Sequence, residues 1–378
     1  MKYKFEDIIF NITQKKKPVE EDKYNYIGLE HLESGNLFIS KWGSDTAPEG
    51  EKIVMKKGDV LFGKRRAYQK KVAISPIDGI FSAHGMVLRP KEDVICKEFL
   101  PFFISSETFL NEAIRISVGG LSPTVNWKDI KEIEFDLPPL AEQKVLAEKL
   151  WAAYEVKQSY LKMIAATEEM VKAQFIEMFG NPLSSVQRYP LKKLGDCCEL
   201  NPRRPNLTLK DTDKVSFVPM PSVSENGYLQ DVTDEEYGKV KKGFTYFEND
   251  DVLFAKITPC MENGKGAIAV GLTNNIGMGS TEFHVLRPIS GISNPYWLLA
   301  LTRLPNFRVK ASMNMSGTGG QKRVPTSYLD NFMVGLPPID LQEQFTSIYK
   351  QSDKSISELR KSVDAIDKVI KSLINENL

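Results

Sequence analysis

Two long stretches of the chain have apolar positions at helical spacing. They cover residues 139–180 and 338–378, and after their first residues neither has glycine or proline before position 180 or the last residue. Each is about forty residues, so each predicted helix is roughly 60 Å long at about 1.5 Å per residue. Their apolar positions recur at alternating steps of about three and four, which is typical of a coiled-coil seam. The predicted seams are Leu146, Leu150, Ala153, Lys157, Tyr160, Ile164, Thr167, Val171, Gln174 and Met178, and Phe345, Ile348, Ser352, Ile356, Leu359, Val363, Ile366, Ile370 and Leu373.

Both predicted seams contain polar residues. Lys157, Thr167 and Gln174 lie in the first and Ser352 lies in the second. Polar residues weaken a seam but help to fix its register. Two unrelated amphipathic core helices would give a similar pattern, although globular helices average only about 11–12 residues. The pattern therefore favours two long helices that pair with each other as an antiparallel coiled coil.

The sequence before each predicted helix has a different pattern. Turn signals separate short runs of strand type, among them DVLF, KVAIS, GMVLRP, VSFVPM and FHVLRP. We therefore expect an α+β protein with mixed α/β domains over residues 1–138 and 181–337, each followed by a long helix. Gly180-Asn181-Pro182 provides a stop signal for the first helix.

Short motifs of the first half recur in the second half in the same order, about 200 residues later. Antiparallel helices would place two such halves at opposite ends of a rod. The sequence therefore predicts an internal repeat with pseudo-two-fold symmetry. The matching motifs are Asp59-Val60-Leu61-Phe62 with Asp251-Val252-Leu253-Phe254, Leu88-Arg89-Pro90 with Leu286-Arg287-Pro288, Leu137-Pro138-Pro139 with Leu336-Pro337-Pro338, and Glu142-Gln143 with Glu343-Gln344.

Composition narrows the class of protein. The chain has 378 residues, 42% of them hydrophobic, and a net charge of +1. No apolar run is long enough to predict a membrane span. The opening MKYKFEDIIF lacks an apolar signal core, which favours the cytoplasm. The four cysteines and three histidines show no metal-ligand spacing, so we expect no metal site.

Catalytic signatures are not found. Gly264-Lys265 lacks the upstream glycine and the following serine or threonine of a phosphate loop, and Gly277-Met278-Gly279 lacks the third glycine of a dinucleotide site. A nuclease-like carboxylate pair could be imagined from Asp136 and Glu142. However, Glu142 lies at a helix start, where a glutamate commonly interacts with free N–H groups and the helix dipole. The sequence therefore favours a binding protein without catalytic residues.

Basic residues cluster at corresponding places in the two halves, directly after each DVLF motif. Lysine and arginine neutralise phosphates, arginine can bond guanine through two donors, and glutamine can bond adenine. The candidate base readers are therefore Arg65, Arg66, Gln69, Gln321 and Arg323. Tyr68 supplies an aromatic beside them, and the candidate phosphate contacts are Lys64, Lys70, Lys71, Lys256, Lys265 and Lys322.

Glycine-rich loops also occur at matching places. Gly317, Gly319 and Gly320 allow tight turns and close approach to a ligand, and Pro325 leads into a short predicted helix. The first half keeps Gly119-Gly120 but has Leu121-Ser122-Pro123 where the second half has Gln321-Lys322-Arg323. Two readers with different targets would differ in this way.

The pattern resembles the specificity subunit of type I restriction-modification enzymes. The segments SGTGGQKRVPTSYLDNFMVGLPPIDLQEQ and SVGGLSPTVNWKDIKEIEFDLPPLAEQ carry the resemblance, together with the preceding DVLF…LRP motifs and the following long helices. In that family, two target-recognition domains joined by an antiparallel coiled coil each read half of a split DNA sequence. The recognition domains would be residues 1–138 and 181–337.

The resemblance also implies partners. The helices would dock two methyltransferase subunits, which hold S-adenosylmethionine, and a motor-nuclease subunit can join for restriction. This chain would then hold no cofactor and no catalytic residue. The helix residues implied in subunit binding are Leu146, Leu150, Tyr160, Ile164, Val171, Phe345, Ile348, Leu359, Val363 and Ile370.

A different class of protein would share much of this pattern. A duplicated scaffold that binds proteins at both ends would show the same seams and repeats, and only the paired basic loops favour DNA. A specificity module of a modification or phage-defence system without a nuclease is also compatible with the sequence.

Overall fold

The structure is a computed structural model that describes residues 1–181, 184, 188–318 and 320–378. Pro182 of the predicted helix stop and Gly319 of the glycine-rich loop lie outside the described residues. The chain forms two compact units. Unit 1 comprises Met1–Lys162 and Leu359–Leu378, and unit 2 comprises Met163–Glu358. The predicted division into four domains stays a prediction.

Unit 1 begins with short strands and helices that run up to the first long helix. Two four-stranded sheets have the strand orders β2-β9-β6-β7 and β3-β5-β8-β4, and β1 pairs with β10. The elements are β1 Lys2–Lys4, α1 Phe5–Ile8, β2 Ile9–Ile12, β3 Lys15–Lys16, β4 Tyr26–Ile27, β5 Lys52–Met55, β6 Val60–Phe62, β7 Val72–Ile74, β8 Gly79–Phe81, β9 Met86–Pro90, α2 Leu100–Ser105, α3 Glu107–Arg115, α4 Trp127–Ile130, β10 Glu134–Asp136 and the long helix α5 Leu140–Phe179.

Unit 2 repeats this plan. Its sheets have the orders β12-β19-β16-β17 and β14-β13-β18-β15, and β11 pairs with β20. The elements are β11 Leu191–Lys193, α6 Leu194–Cys197, β12 Cys198–Leu200, β13 Lys214–Val218, β14 Thr233–Glu236, α7 Tyr237–Val240, β15 Thr245–Glu248, β16 Val252–Ala255, β17 Gly266–Ile268, β18 Ile276–Gly279, β19 Phe283–Pro288, α8 Pro295–Arg303, α9 Pro305–Met313, α10 Thr326–Asp330, β20 Met333–Gly335 and the long helix α11 Ile339–Asn375.

Strand register confirms the predicted repeat. Phe62 pairs with Met86 in unit 1, and Phe254 pairs with His284 in unit 2, so the DVLF and LRP motifs lie on neighbouring strands of equivalent sheets. The second sheets share a parallel pair, β4 with β8 and β13 with β18. The two second sheets differ in their extra edge strand. In unit 1, β3 pairs with β5, whereas in unit 2, β14 pairs with β13, the equivalent of β4.

A buried ion pair explains why the two motifs recur together. The Asp59 carboxylate accepts two hydrogen bonds from Arg89, both 2.8 Å long. In unit 2, Asp251 accepts from Arg287 at 2.8 and 2.7 Å. The DVLF aspartate and the LRP arginine are therefore partners in each unit. Their ion pair links the start of β6 to β9 in unit 1 and the start of β16 to β19 in unit 2.

The two long helices confirm the predicted helical stretches. In unit 1, Leu146 and Leu150 of α5 belong to the same core as Ile370 of α11. In unit 2, the rings of Phe175 in α5 and Phe345 in α11 lie 5.3 Å apart. Each unit thus pairs an early part of one helix with a late part of the other, which is the order that an antiparallel pair requires.

The predicted polar seam position Lys157 has a specific partner. Its ammonium group lies 2.7 Å from the Asp367 carboxylate of α11, and its side chain is 11% exposed. Ser352, the polar position predicted for the second seam, is also buried. Because a buried lysine needs its carboxylate partner, this pair can fix the register of the helices within unit 1.

A buried glutamine fixes the start of each long helix to its unit. Gln143 accepts a hydrogen bond from the Cys96 N–H and donates to the carbonyls of Val94 and Pro138. Gln342 accepts from the Asn294 N–H and donates to the carbonyls of Ile292 and Pro337. Gln342 is thus the equivalent of Gln143. The sequence match of Gln143 with Gln344 was wrong, because Gln344 is exposed.

Replacing Gln342 with leucine should destabilise unit 2 by about 2–4 kcal/mol. The change removes three hydrogen bonds and leaves buried backbone groups without a partner. Chemical denaturation of the full chain measures the loss. Gln344→Leu is the matched control and should have little effect, so equal losses in the two variants would contradict the assignment.

Candidate nucleic-acid interface

The two sequence-predicted loops of each half lie against each other in the structure. We call residues 63–71 and 255–265 the basic loops, and residues 117–124 and 316–323 the glycine loops. In unit 1 the Arg66 N–H donates to the Pro123 carbonyl at 2.7 Å. In unit 2 the Thr258 N–H donates to the Lys322 carbonyl at 3.0 Å. The sequence indicated both loops separately but could not show that they join into one surface.

The same backbone contact holds the loop pair in both units. The Val125 N–H donates to the Lys64 carbonyl at 3.0 Å, and the Val324 N–H donates to the Lys256 carbonyl at 2.9 Å. Lys64 and Lys256 are therefore equivalent positions. Burial lowers the pKa of both lysines below the ordinary value, with Lys15 as a further cause at Lys64.

Most predicted side chains of the unit 1 basic loop are exposed. Arg66 has a left-handed backbone, with φ of 57°, and its Nε donates to the Ser122 hydroxyl at 3.2 Å. Nη1 of Arg65 lies 3.3 Å from Nε2 of His84. Leu121, at the tip of the glycine loop, is 96% exposed. The predicted Tyr68, Gln69 and Lys70 are exposed beside Arg66.

Two of the predicted phosphate contacts also have a structural role, and their contact with phosphate stays a prediction. Nζ of Lys71 donates to the Leu29 carbonyl at 2.7 Å. Lys265, its equivalent, donates to the Met220 carbonyl at 3.4 Å. Each lysine therefore ties the basic loop to a neighbouring 3-10 turn of its own unit.

Unit 1 gathers further positive charge that sequence reasoning missed. The pKa of His84 is lowered first by burial and then by the positive charges of Arg65, Lys64 and Lys52. Lys15 and Lys52 lie beside this cluster on the paired strands β3 and β5, where Lys15 pairs with Glu51 at 3.1 Å and the buried Lys52 donates to the Glu49 carbonyl. Their position on a second sheet gave no signal in the sequence. A cluster of cations of this kind attracts phosphate.

In unit 2 the predicted base reader Arg323 is held by a carboxylate. Glu282 accepts from Nε of Arg323 at 2.8 Å and from Nη2 at 2.7 Å. Gln321 and Lys322, the other predicted residues of this glycine loop, are exposed. Sequence reasoning missed Glu282, because it lies outside the repeated motifs and about forty residues from Arg323.

His284 is buried and holds the backbone that follows the glycine loop of unit 2. Its Nε2 donates to the Val324 carbonyl at 2.7 Å, since a carbonyl can only accept. Its Nδ1 lies 3.1 Å from the Asn201 amide nitrogen, which can donate to it when the ring is neutral. Burial lowers the pKa of His284, with the positive charge of Lys256 as a smaller cause.

Unit 2 should lose stability in mild acid because of His284. A histidine with a lowered pKa in the folded state is protonated first in the unfolded chain. Its contribution is therefore complete above the ordinary pKa near 6.5 and is lost as the pH falls from there towards the folded pKa. Unfolding of the wild type and of His284→Asn, measured between pH 7.5 and 5.5, should show a smaller pH dependence in the variant; equal slopes would contradict this.

The predicted subunit-binding residues of the long helices lie largely inside their own units. Leu146, Leu150, Ile164, Phe345 and Ile370 are buried, and Tyr160, Val171, Ile348, Leu359 and Val363 are partly buried. The five buried side chains face the core of their own unit, and the role of the ten residues in subunit binding stays a prediction. Other apolar residues of α5 are exposed, namely Val145, Val156 and Leu161 in unit 1 and Met163, Met170 and Ile176 in unit 2.

Two negative findings concern the described residues only. Within the described ranges, no three or more His, Cys, Asp or Glu side chains are arranged to hold a metal ion. Among the helices of the same residues, none is both long and apolar enough to cross a bilayer.

Comparison with known proteins identifies the family. Residues 2–159 and 188–366 match the family described as "Type I restriction modification DNA specificity domain". The matched residues make up most of the chain and include both loop pairs. The chain belongs to this family.

Individual relatives agree with this assignment. The chain is similar to the type I restriction enzyme EcoAI specificity subunit of Escherichia coli, with 39% identity over 169 residues, 43% of this chain and 29% of that protein. It is also similar to the MjaVIII specificity subunit of Methanocaldococcus jannaschii, with 23% identity over 98% of this chain and 89% of that protein. The chain thus matches less than a third of the EcoAI subunit.

A solved structure shows the same fold. The chain matches one from a study of the assembly and conformational transition of the type I restriction-modification system, with a TM-score of 0.52 and 18% identity. The match covers 100% of this chain and 97% of that one. The predicted fold class, with its duplicated α+β units and long helices, is confirmed.

Proposed function

We propose that this chain is the DNA-reading subunit of a type I restriction-modification complex and recognises a two-part DNA sequence. Each unit reads one part through its basic loop and glycine loop. The chain contributes no catalytic residue. S-adenosylmethionine is held by a methyltransferase partner, which methylates adenine.

The joined loop pair, present once in each unit, carries this proposal. Exposed side chains suited to phosphates and base edges lie on it, including Arg66 and Gln69 in unit 1 and Gln321 and Lys322 in unit 2. A protein-binding scaffold would have no need for basic residues at the same place in both units. The family assignment points in the same direction.

The long helices are the proposed docking elements for two methyltransferase subunits, one for each copy of the repeat. The predicted seam residues support this role indirectly, since they hold the helix pair together. The partner surface itself would be the exposed apolar residues Val145 and Val156 in unit 1 and Met163 and Met170 in unit 2. A motor-nuclease subunit can then join the assembly for restriction.

Methylation sequencing of single DNA molecules tests the proposal. DNA would come from cells that express the full chain with the methyltransferase subunit of its own system. We expect a split motif with methylated adenine that disappears when this chain is deleted. Exchanging residues 1–138 for the corresponding domain of another family member should change one half of the motif and leave the other half unchanged.

Either of two results would contradict the proposal. Methylation that persists without this chain would show that the methyltransferase does not depend on it for sequence. Full assembly without any DNA binding at moderate salt would favour the protein-binding scaffold instead.

A further inference from the structure

Arg323 of the unit 2 glycine loop is held in one orientation by three side-chain hydrogen bonds. The Glu282 carboxylate accepts from Nε and Nη2, and Nη1 donates to the Gln321 carbonyl at 3.1 Å. A guanidinium group has five N–H donors. No described residue accepts from the remaining two, of which one is on Nη1 and one on Nη2. Guanine presents O6 and N7 as the two acceptors that such a pair of donors can bond.

The backbone beneath Arg323 is also fixed. Its N–H donates to the Ser316 carbonyl at 2.8 Å, and its carbonyl accepts from the Ser316 N–H at 3.0 Å. The next residue, Val324, is bound through its N–H to Lys256 and through its carbonyl to His284. The arginine therefore has little freedom to lose on binding, which favours affinity.

The exposure of the pair suits a reading residue. The Arg323 side chain is 40% exposed, and that of Glu282 is 25% exposed. The hydrogen bond from Arg323 is the largest cause of the lowered pKa of Glu282, so the carboxylate is ionised at neutral pH and the pair persists. An ionised carboxylate in contact with DNA phosphates would be repelled, so Glu282 gives no advantage to a simple phosphate contact.

Unit 1 has different residues at both places. Thr124 forms the backbone bridge to Val118 that Arg323 forms to Ser316. His84, two residues before Met86, stands where Glu282 stands before His284, and its side chain contacts Arg65 of the basic loop. The supported arginine thus comes from a different loop in each unit. Such a difference is expected of two readers with different targets.

We propose that Arg323, positioned by Glu282, reads a guanine in the part of the DNA target that unit 2 contacts. The inference rests on the proposed DNA-reading function and adds to it the base and the positioning residue. Arg323 bonds O6 and N7 of the guanine through its free Nη1 and Nη2 donors. Glu282 acts through Arg323 and does not touch the DNA.

Two variants of the full chain test the inference in the complex with its methyltransferase. Arg323→Ala should lower the preference for guanine over other bases at one position by about 5- to 150-fold, the range for one such contact. Glu282→Gln should reduce the same preference by a smaller factor. The other half of the motif should stay unchanged in both. The readouts are the methylated motif and equilibrium binding to duplexes that differ in that one base.

The neighbouring Lys322 supplies the matched control. Lys322→Ala should weaken binding to all duplexes alike. It should also reduce the slope of log affinity against log salt concentration by about one, as the loss of one phosphate contact requires. If Arg323→Ala behaves in this manner, Arg323 contacts a phosphate and the inference is overturned. An unchanged motif in Arg323→Ala also overturns it. A Glu282→Gln variant that retains full guanine preference removes the positioning role of Glu282.

Two further results separate the possible failures. If Arg323→Ala does not fold, Arg323→Lys keeps the charge but loses the planar guanidinium group that Glu282 orients, and it should relax the preference for the same base. If the wild type shows no sequence preference anywhere, the proposed function itself fails and this inference fails with it. A wild type with a clear motif but no guanine in the unit 2 half overturns only the inference.

Discussion

Reversing the charge of Lys64, Arg65 and Arg66 to glutamate is expected to abolish sequence-specific DNA binding. These residues begin the unit 1 basic loop, and the loop backbone is fixed by the hydrogen bonds from Arg66 to Pro123 and from Val125 to Lys64. Losing about 1–3 kcal/mol for each contact predicts a loss of affinity of roughly 100-fold or more. Binding of the full chain to a duplex with its motif, measured at several salt concentrations, tests this.

The control variant changes Lys97, Lys144 and Lys149 to glutamate. These three lysines are exposed and lie outside both loops, and the variant has the same net charge as the loop variant. It should keep most of the specific affinity. Equal losses in the two variants would show that bulk charge decides binding, and full affinity in the loop variant would remove the unit 1 loop from the interface.

Much of the fold follows from periodicity. The seam positions form a repeating stripe, so sequence alone placed the two long helices, and the structure gives them as Leu140–Phe179 and Ile339–Asn375. Repetition of DVLF and LRP revealed the duplication. Neither pattern could show that the aspartate of one motif bonds the arginine of the other, because that contact depends on strand pairing.

The site was less accessible from sequence. Glu282 and His84 are equivalent by strand register, but one is a glutamate and the other a histidine, so matching the sequences does not pair them. Lys71 and Lys265 look like phosphate contacts in a basic run, but their ammonium groups are bonded to the carbonyls of Leu29 and Met220. Sequence gives the charge of a loop, whereas the direction of each side chain depends on contacts distant in the chain.

The same limit explains the glutamine at the start of each long helix. The pairs Glu142-Gln143 and Glu343-Gln344 look alike in sequence, so matching letters gave the wrong equivalence. Burial decides the correct one, since Gln143 and Gln342 both lie next to backbone groups that need hydrogen-bond partners. A repeat should therefore be aligned by shared contacts where insertions of one or two residues are present.

Replacing Arg287 with methionine is expected to destabilise unit 2 by about 3–5 kcal/mol, because it leaves a buried charge without its partner. The Asp251 side chain is only 1% exposed and accepts two hydrogen bonds from Arg287. Its remaining side-chain hydrogen bond comes from the Glu248 N–H. Urea denaturation, with hydrogen exchange of peptides from residues 163–358, measures the loss and locates it in unit 2.

A second substitution distinguishes the buried charge from lost packing. In Arg287→Met combined with Asp251→Asn, the side chain at position 251 is neutral, and its amide oxygen can still accept from the Glu248 N–H. The double variant should therefore be more stable than Arg287→Met alone. If the two variants are equally unstable, the main cause is the loss of the other contacts of Arg287, with Glu248 at 3.2 Å and with the ring of Tyr246 at 5.9 Å, and not the unpaired charge of Asp251. Peptides from residues 1–138 should exchange as in the wild type, because Asp59 and Arg89 keep the equivalent pair in unit 1.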